Sequence, residues 1–238
     1  MSSSTRFGDR RGAIAAAVTV VLLLLGGGFV ARALTTPGPP PQPDTSQAQV
    51  AAPAPSPSQP DASPDAATPS PPASAPAVAP ASDFGPILGP SAPVALRIPS
   101  IKVTTKGLVD LGLDSKGQLE APKKAQQAGW YSGGPTPGEF GPSVIAAHVD
   151  SHLGPALFYR LGAVKKGAKV MVDRADGTTA TFVIDHVERY PKAEFPTSTV
   201  YADTGGRAEL RLITCGGDLD SKTGHYVDNI VAYAHLIA

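Results

Sequence analysis

Fifteen of the chain's 26 prolines lie between residues 37 and 80, and no aromatic residue occurs between Phe29 and Phe84. Over residues 33–82 the only charges are Asp44, Asp61 and Asp65. Such a stretch has too little apolar surface to offset the entropy of ordering it. Proline, alanine and serine favour extended polyproline II, at about 3.1 Å per residue. Residues 32–92 therefore read as a disordered, semi-rigid stalk. A ligand for an SH3-like domain is a sharper reading of the prolines, but the stretch lacks a basic flank beside them. The stalk splits the chain into an N-terminal element and a C-terminal domain.

The N-terminal element is apolar. Arg6, Arg10 and Arg11 precede an uncharged stretch over residues 12–31, which includes the leucine run 22–25. Twenty helical residues rise about 30 Å, the thickness of a bilayer's hydrocarbon core. The basic cluster before the span keeps residues 1–11 in the cytoplasm and sends the rest outside. The rival is a cleaved signal peptide, since Ala31-Arg32-Ala33 has a small-x-small pattern. Both readings put the remainder outside the cytoplasm.

Residues 93–238 carry all six tyrosines, the tryptophan, the five histidines and the single cysteine. Their length suits one domain. The whole chain balances 20 basic against 20 acidic residues, which excludes a strongly basic nucleic-acid surface. One cysteine excludes an internal disulfide framework and a multi-cysteine zinc site. No internal repeat is present.

The domain's pattern is β-rich. Val94, Leu96 and Ile98 alternate with other residues before Pro99. Residues 143–147 form an apolar run entering His148. Residues 169–174 and 179–187 flank Ala175-Asp176-Gly177, a hairpin signal. Residues 210–214 and 230–237 are two further strands, and residues 156–161 suit one or two helical turns. Short strands between glycine and proline turns predict an all-β barrel or sandwich.

Two side chains stand out chemically. Cys215 ends the strand at 210–214 and precedes Gly216-Gly217, so its thiol is expected at a mouth of the sheet. An unpaired cysteine in an exported domain suggests a functional thiol or an intermolecular disulfide, against the plainer reading of a buried free cysteine. His148 ends its own apolar strand. Beside a cysteine it forms a nucleophile and proton-transfer couple, although a satisfied core histidine is the ordinary case. His148, Asp150 and His152 also make an H-x-D-x-H run, but in a loop that does not align ligands, so no metal is expected. His186 reads as a surface residue. His225 and His235 have no evident companion.

The strand Val144-Ile145-Ala146-Ala147-His148 and the strand Leu212-Ile213-Thr214-Cys215 together resemble the two motifs of the sortase family. The continuation Gly216-Gly217, Thr223-Gly224-His225-Tyr226 and Asp228-Asn229 is most similar to the class F group of actinobacterial type. The resemblance implies a closed eight-stranded β-barrel with one or two short helices. It implies a cysteine transpeptidase without a cofactor, in which Cys215 attacks a Leu-Pro-x-Thr-Gly-like sorting signal of a surface protein. His148 would serve as acid and base, and an amine such as a peptidoglycan precursor would accept the acyl group. Trp130 and Tyr131 are expected to flank the substrate groove. The sequence departs from the family at one point: no arginine follows Cys215, where one is expected near Val227 or Asp228. Three readings stay open. Asn229 donates in its place, an arginine such as Arg211 reaches in from elsewhere, or the protein is a weak or inactive sortase-like binding module. An L,D-transpeptidase fits less well, because Thr214-Cys215-Gly216-Gly217 lacks its Ser-x-Gly-Cys signature.

Overall fold

The computed structural model describes residues 38–44, 85–202, 204 and 206–238. Two compact units divide between residues 39 and 40, and the fold is that of the second. The expected cytoplasmic segment 1–11, the anchor 12–31 and most of the stalk lie outside the described residues. Among the described residues no helix is long and apolar enough to cross a membrane.

Eleven strands follow in chain order: β1 (Pro93–Ile98), β2 (Val103–Lys106), β3 (Val109–Leu111), β4 (Ala128–Tyr131), β5 (Gly141–Ala147), β6 (Asp150–Ser151), β7 (Gly154–Pro155), β8 (Lys169–Arg174), β9 (Thr179–Pro191), β10 (Ala208–Leu219) and β11 (Tyr226–Leu236). Nine form one sheet in the order β2-β1-β8-β9-β11-β10-β5-β4-β3, and β6 and β7 pair separately. The expected helical turns at 156–161 appear later, as a 3-10 turn over Leu161–Ala163. One short α-helix spans Thr197–Tyr201.

The β8–β9 hairpin forms where the turn residues predict it. Gly177 takes φ +84°, which suits a residue without Cβ. Asp176 accepts hydrogen bonds from the Thr178 hydroxyl and backbone N–H. These bonds hold its carboxyl below the usual range. Along β9 the inward residues are Ala180, Phe182 and Ile184, then Val187. The change of phase is absorbed by a bulge opposite Tyr233 and Ala234.

The closed eight-stranded barrel expected above is not what forms. The sheet has nine strands and two edges, β2 and β3, with no ladder between them. Only Gly107 and Leu108 separate these edges in the chain. Three Cα steps of about 3.8 Å span at most about 11 Å. The sheet must therefore curl until its edges approach, giving a half-barrel with an unbonded seam. β2 pairs with β1, while β3 pairs in parallel with β4 over three residues.

The sheet has two buried faces. Inside the curl, Leu96, Ile98, Ile145, Phe158, Phe182 and Leu212 belong to one core. On the outer face Leu111, Val144, Ile213, Val231 and Tyr233 pack with Val200 of the helix. β5 is consequently buried along its whole length, which is why its sequence reads as an apolar run rather than an alternation.

The bonded domain begins before Pro93. Leu88 N–H donates to Gly138 O at 2.8 Å, and Ser91 N–H donates to Thr136 Oγ1 at 2.9 Å. Residues 85–92, assigned to the stalk by composition, are thus tied to the fold.

Candidate active site

β5 and β10 run parallel with a constant offset that pairs Leu210 with Ser143 and Ile213 with Ala146. Thr214 Oγ1 extends that register by donating to Ala147 O at 2.9 Å. Cys215 and His148 are the next residues of their chains, Cys215 still within β10 and His148 just past the end of β5. Neighbouring strands lie about 4.8 Å apart. Ile213 faces the outer cluster, so alternation along β10 puts Cys215 toward that same face. Both His148 and Cys215 are half-buried.

The same row continues across the sheet. Cys215 pairs with Asn229 on β11, and Asn229 pairs with Tyr190 on β9. Directly opposed residues share a face, with Cβ atoms about 4.5–5.5 Å apart. Three strands thus set Cys215, Asn229 and Tyr190 side by side, with His148 just past the end of β5, the strand on the other side of β10.

The His148 ring is anchored. Its Nε2 lies 2.6 Å from Pro122 O. A carbonyl only accepts, so Nε2 carries the proton and Nδ1 is left to exchange one. The His148 carbonyl accepts from Phe158 N–H at 2.9 Å, which holds the backbone as well.

Lys192 is the residue that the sequence did not reveal. Its Nζ donates to Cys215 Sγ at 3.6 Å. It opens the 3-10 turn Lys192–Glu194, directly after Pro191, which pairs with Asp228 on β11. No local signal marks it, because its approach depends on the pairing of β9, β11 and β10.

The glycines after the cysteine have a spatial reason. A Cβ on Gly217 would meet Asp228 Oδ2 at 2.2 Å, and its φ is +74°. A Cβ on Gly216 would meet the Ile230 side chain at 2.6 Å. Gly217 N–H is in turn capped by Gln42 Oε1 at 3.1 Å, while Gln42 Nε2 donates to Pro40 O at 3.0 Å. Asp44 pairs with Lys165. A short strap, residues 40–44, therefore lies against the backbone just beyond Cys215.

Tyr226 stands near the sulfur and donates to Asp150 Oδ2 at 2.5 Å. Burial, then that bond and the charge of Asp150, push its phenol well up, with Cys215 adding to the effect. Asp150 is thus engaged by Tyr226 and His148 by Pro122. Among the described residues, no three His, Cys, Asp or Glu side chains gather to hold a metal ion.

The remaining expected residues are placed as follows. Trp130 is 8 % exposed and sits in the inner core, its indole N–H donating to Pro135 O at 3.0 Å. It therefore does not line a groove. Its neighbour Tyr131 packs against the outer cluster, edge-on to Tyr201 at 6.1 Å. Arg211 is buried, ion-paired with Glu209 and held 4.5 Å from the Tyr233 ring centroid. It is committed away from the cysteine. His186 is half-buried rather than on the open surface, and stacks on Tyr233 at 4.4 Å. His235 has a companion after all, with Nδ1 2.8 Å from Asp185.

The Cys215 thiol lies inside β10 rather than at the expected strand end, and the His148 imidazole directly follows the neighbouring strand β5, a pairing of the kind that cysteine acyl transfer uses. The chain belongs to the sortase family, whose Sortase domain matches residues 96–237. Membership supports a cysteine transpeptidase. Among solved structures, the chain is similar to sortase A from Corynebacterium diphtheriae at 17% identity and a TM-score of 0.45, covering 63% of this chain and 62% of that one. It is also similar to sortase C-1 from Actinomyces oris, at 21% identity and a TM-score of 0.46, over 61% and 75% of the two chains. Sortase C2 of pilus island 1 from Group B Streptococcus gives 21% identity and a TM-score of 0.45, over 60% and 73%. The chain thus spans about three fifths of the Corynebacterium protein. No curated protein matches it.

Proposed function

We propose that this protein is a membrane-anchored sortase of class F type. It cleaves a Leu-Pro-x-Thr-Gly-like signal on surface proteins and transfers the acyl group to an amine at the outer cell surface. The observation that supports this reading is the parallel register of β5 and β10, tied by the Thr214–Ala147 hydrogen bond immediately before Cys215 and His148. The class rests on Cys215-Gly216-Gly217 with Thr223-Gly224-His225-Tyr226 and Asp228-Asn229. The location rests on the apolar stretch 12–31 behind Arg6, Arg10 and Arg11.

The chemistry needs no cofactor. His148 Nδ1 takes the Cys215 thiol proton, the thiolate so formed makes a bond to the threonine carbonyl carbon, and the C=O π pair moves onto oxygen. Asn229, opposite Cys215, is positioned to donate to that oxygen. The pair returns, the C–N bond breaks, and the leaving glycine amine takes a proton from His148 Nδ1. A thioester remains on Cys215. An incoming amine, from a peptidoglycan precursor or another protein, attacks it and gives a proton back to His148. The thiolate leaves and the cycle closes. Proton transfer of this kind contributes about 10²–10⁴-fold.

The alternative is a weak or inactive sortase-like binding module on a stalk. What favours it is the stretch Tyr226-Val227-Asp228-Asn229, which has no arginine where the family resemblance expects one. Purified full-length chain, a panel of Leu-Pro-x-Thr-Gly-like peptides and an amine separate the two. The transpeptidase reading predicts a peptide–amine product that disappears in Cys215→Ala and falls at least about 10²-fold in His148→Ala. Product made equally well by Cys215→Ala, or no product from any peptide, contradicts it.

A further inference from the structure

We propose that Lys192 is the catalytic cation of this site, holding the Cys215 sulfur and then the oxyanion formed on the substrate. Its Nζ is 3.6 Å from Sγ, and no carboxylate of the described residues pairs with it. The two arginines around it are committed elsewhere. Arg189 Nε lies 3.3 Å from Asp228 Oδ2. Arg211 is taken by Glu209 and Tyr233 and lies four strand residues, about 13 Å, from the cysteine. Lys222 lies in the turn after β10, which its backbone N–H closes on Asp220, seven residues beyond Cys215. Lys192 is therefore the cation seen in contact with the nucleophile.

Its placement is built into the sheet. Pro191 lacks the N–H needed to continue a ladder, and it ends β9 opposite Asp228. The chain turns at once into Lys192–Glu194, which swings the lysine toward β10. A lysine ammonium is a point charge with three donors on a flexible stem. The carbonyl oxygen of an acyl group joined to Sγ is two bonds from that sulfur, within reach of the same donors. As the sulfur lone pair becomes the S–C bond and the π pair moves to oxygen, negative charge leaves sulfur. The ammonium follows it with a small movement and without giving up a proton. When the C–N bond breaks, His148 supplies the amine's proton and Lys192 returns to the neutral thioester.

This assignment rests on the transpeptidase reading, but thiol reactivity tests it separately. The full-length wild type, Lys192→Met, Lys192→Arg, and Lys192→Met combined with Val227→Arg are compared. Iodoacetamide alkylation of Cys215 at pH 7 and kcat/KM for peptide transfer are both measured. Lys192→Met slows alkylation about two- to fivefold, as loss of an exposed charge pair implies. It lowers kcat/KM by about 10²–10³, mainly in kcat. Lys192→Arg recovers most of both. Val227→Arg restores part, because Val227 shares a strand face with Asn229. Lys192 is exposed, so melting temperature stays unchanged throughout. Alkylation and kcat/KM within twofold of wild type in Lys192→Met overturn the proposal, as does a Lys192→Arg variant no faster than Lys192→Met. Slower alkylation in Lys192→Met with no transfer by any variant, the wild type included, supports the sulfur contact and overturns the transpeptidase reading.

Discussion

Tyr233 shows how single side chains on the outer face are arranged beneath the catalytic row. His186 stacks on its ring and Arg211 lies over it. Burial lowers the His186 pKa below its ordinary 6.5, with Glu188, Asp185 and Glu209 pulling it up and Arg211 pushing it down. The unfolded chain therefore binds a proton near pH 6.5 that the folded chain resists. Stability contributed by neutral His186 is full above that value and is lost as pH falls through it. The expected outcome is a melting temperature that drops more steeply from pH 7.5 to 5 in the wild type than in His186→Phe. Equal slopes would contradict it. At this scale the sequence was informative where a reactive side chain follows an apolar run, as at His148 and Cys215, although β10 continues past Cys215 to Leu219. It was silent on Lys192, which lies 23 residues before the cysteine and meets it only through two other strand pairings. Trp130 and Tyr131 are adjacent in the chain but face opposite sides, a distinction that composition cannot make.

Among the elements, the strap at residues 40–44 has the clearest consequence. Gly162 makes room for it: a Cβ there would meet Pro41 O at 2.2 Å and Gln42 Cα at 3.2 Å. Gly162→Ala should therefore push the strap away from Gly216 and Gly217. Gln42→Ala should loosen it without adding atoms. Each variant is expected to speed Cys215 alkylation by up to about fivefold, the shift that one hydrogen bond of about 1 kcal/mol supports. Wild-type rates in both would show that the strap does not limit access. The sequence conceals this element, because the same prolines that read as a spacer also pre-extend a segment that docks through Gln42 and its backbone. It disclosed the β8–β9 hairpin, whose alternation and turn residues are local, and the apolar cores of β10 and β11. It did not disclose β2, β3 and β4, which are three or four residues long. Nor did it disclose the parallel register of β5 and β10, since no turn joins those strands.

For the molecule as a whole, curling matters more than closure. The expectation of a closed barrel failed at a seam where β2 and β3 do not pair with each other, yet Cys215, Asn229 and Tyr190 lie on β10, β11 and β9, in the middle of the sheet. An open edge distant from those strands in sheet order leaves their register intact, so the site is compatible with a half-barrel. Long pairings across these central strands hold the imidazole, thiol and ammonium in place, each delivered by a different strand or turn. The proposed reaction is acyl transfer through the Cys215 sulfur. Intact-mass measurement of the full-length chain, incubated with a sorting-signal peptide in the absence of an amine, tests it most directly. The account predicts a mass increase equal to the peptide fragment ending in threonine, located on Cys215 and discharged when amine is added. No adduct across the peptide panel, or an adduct on any residue other than Cys215, would contradict it.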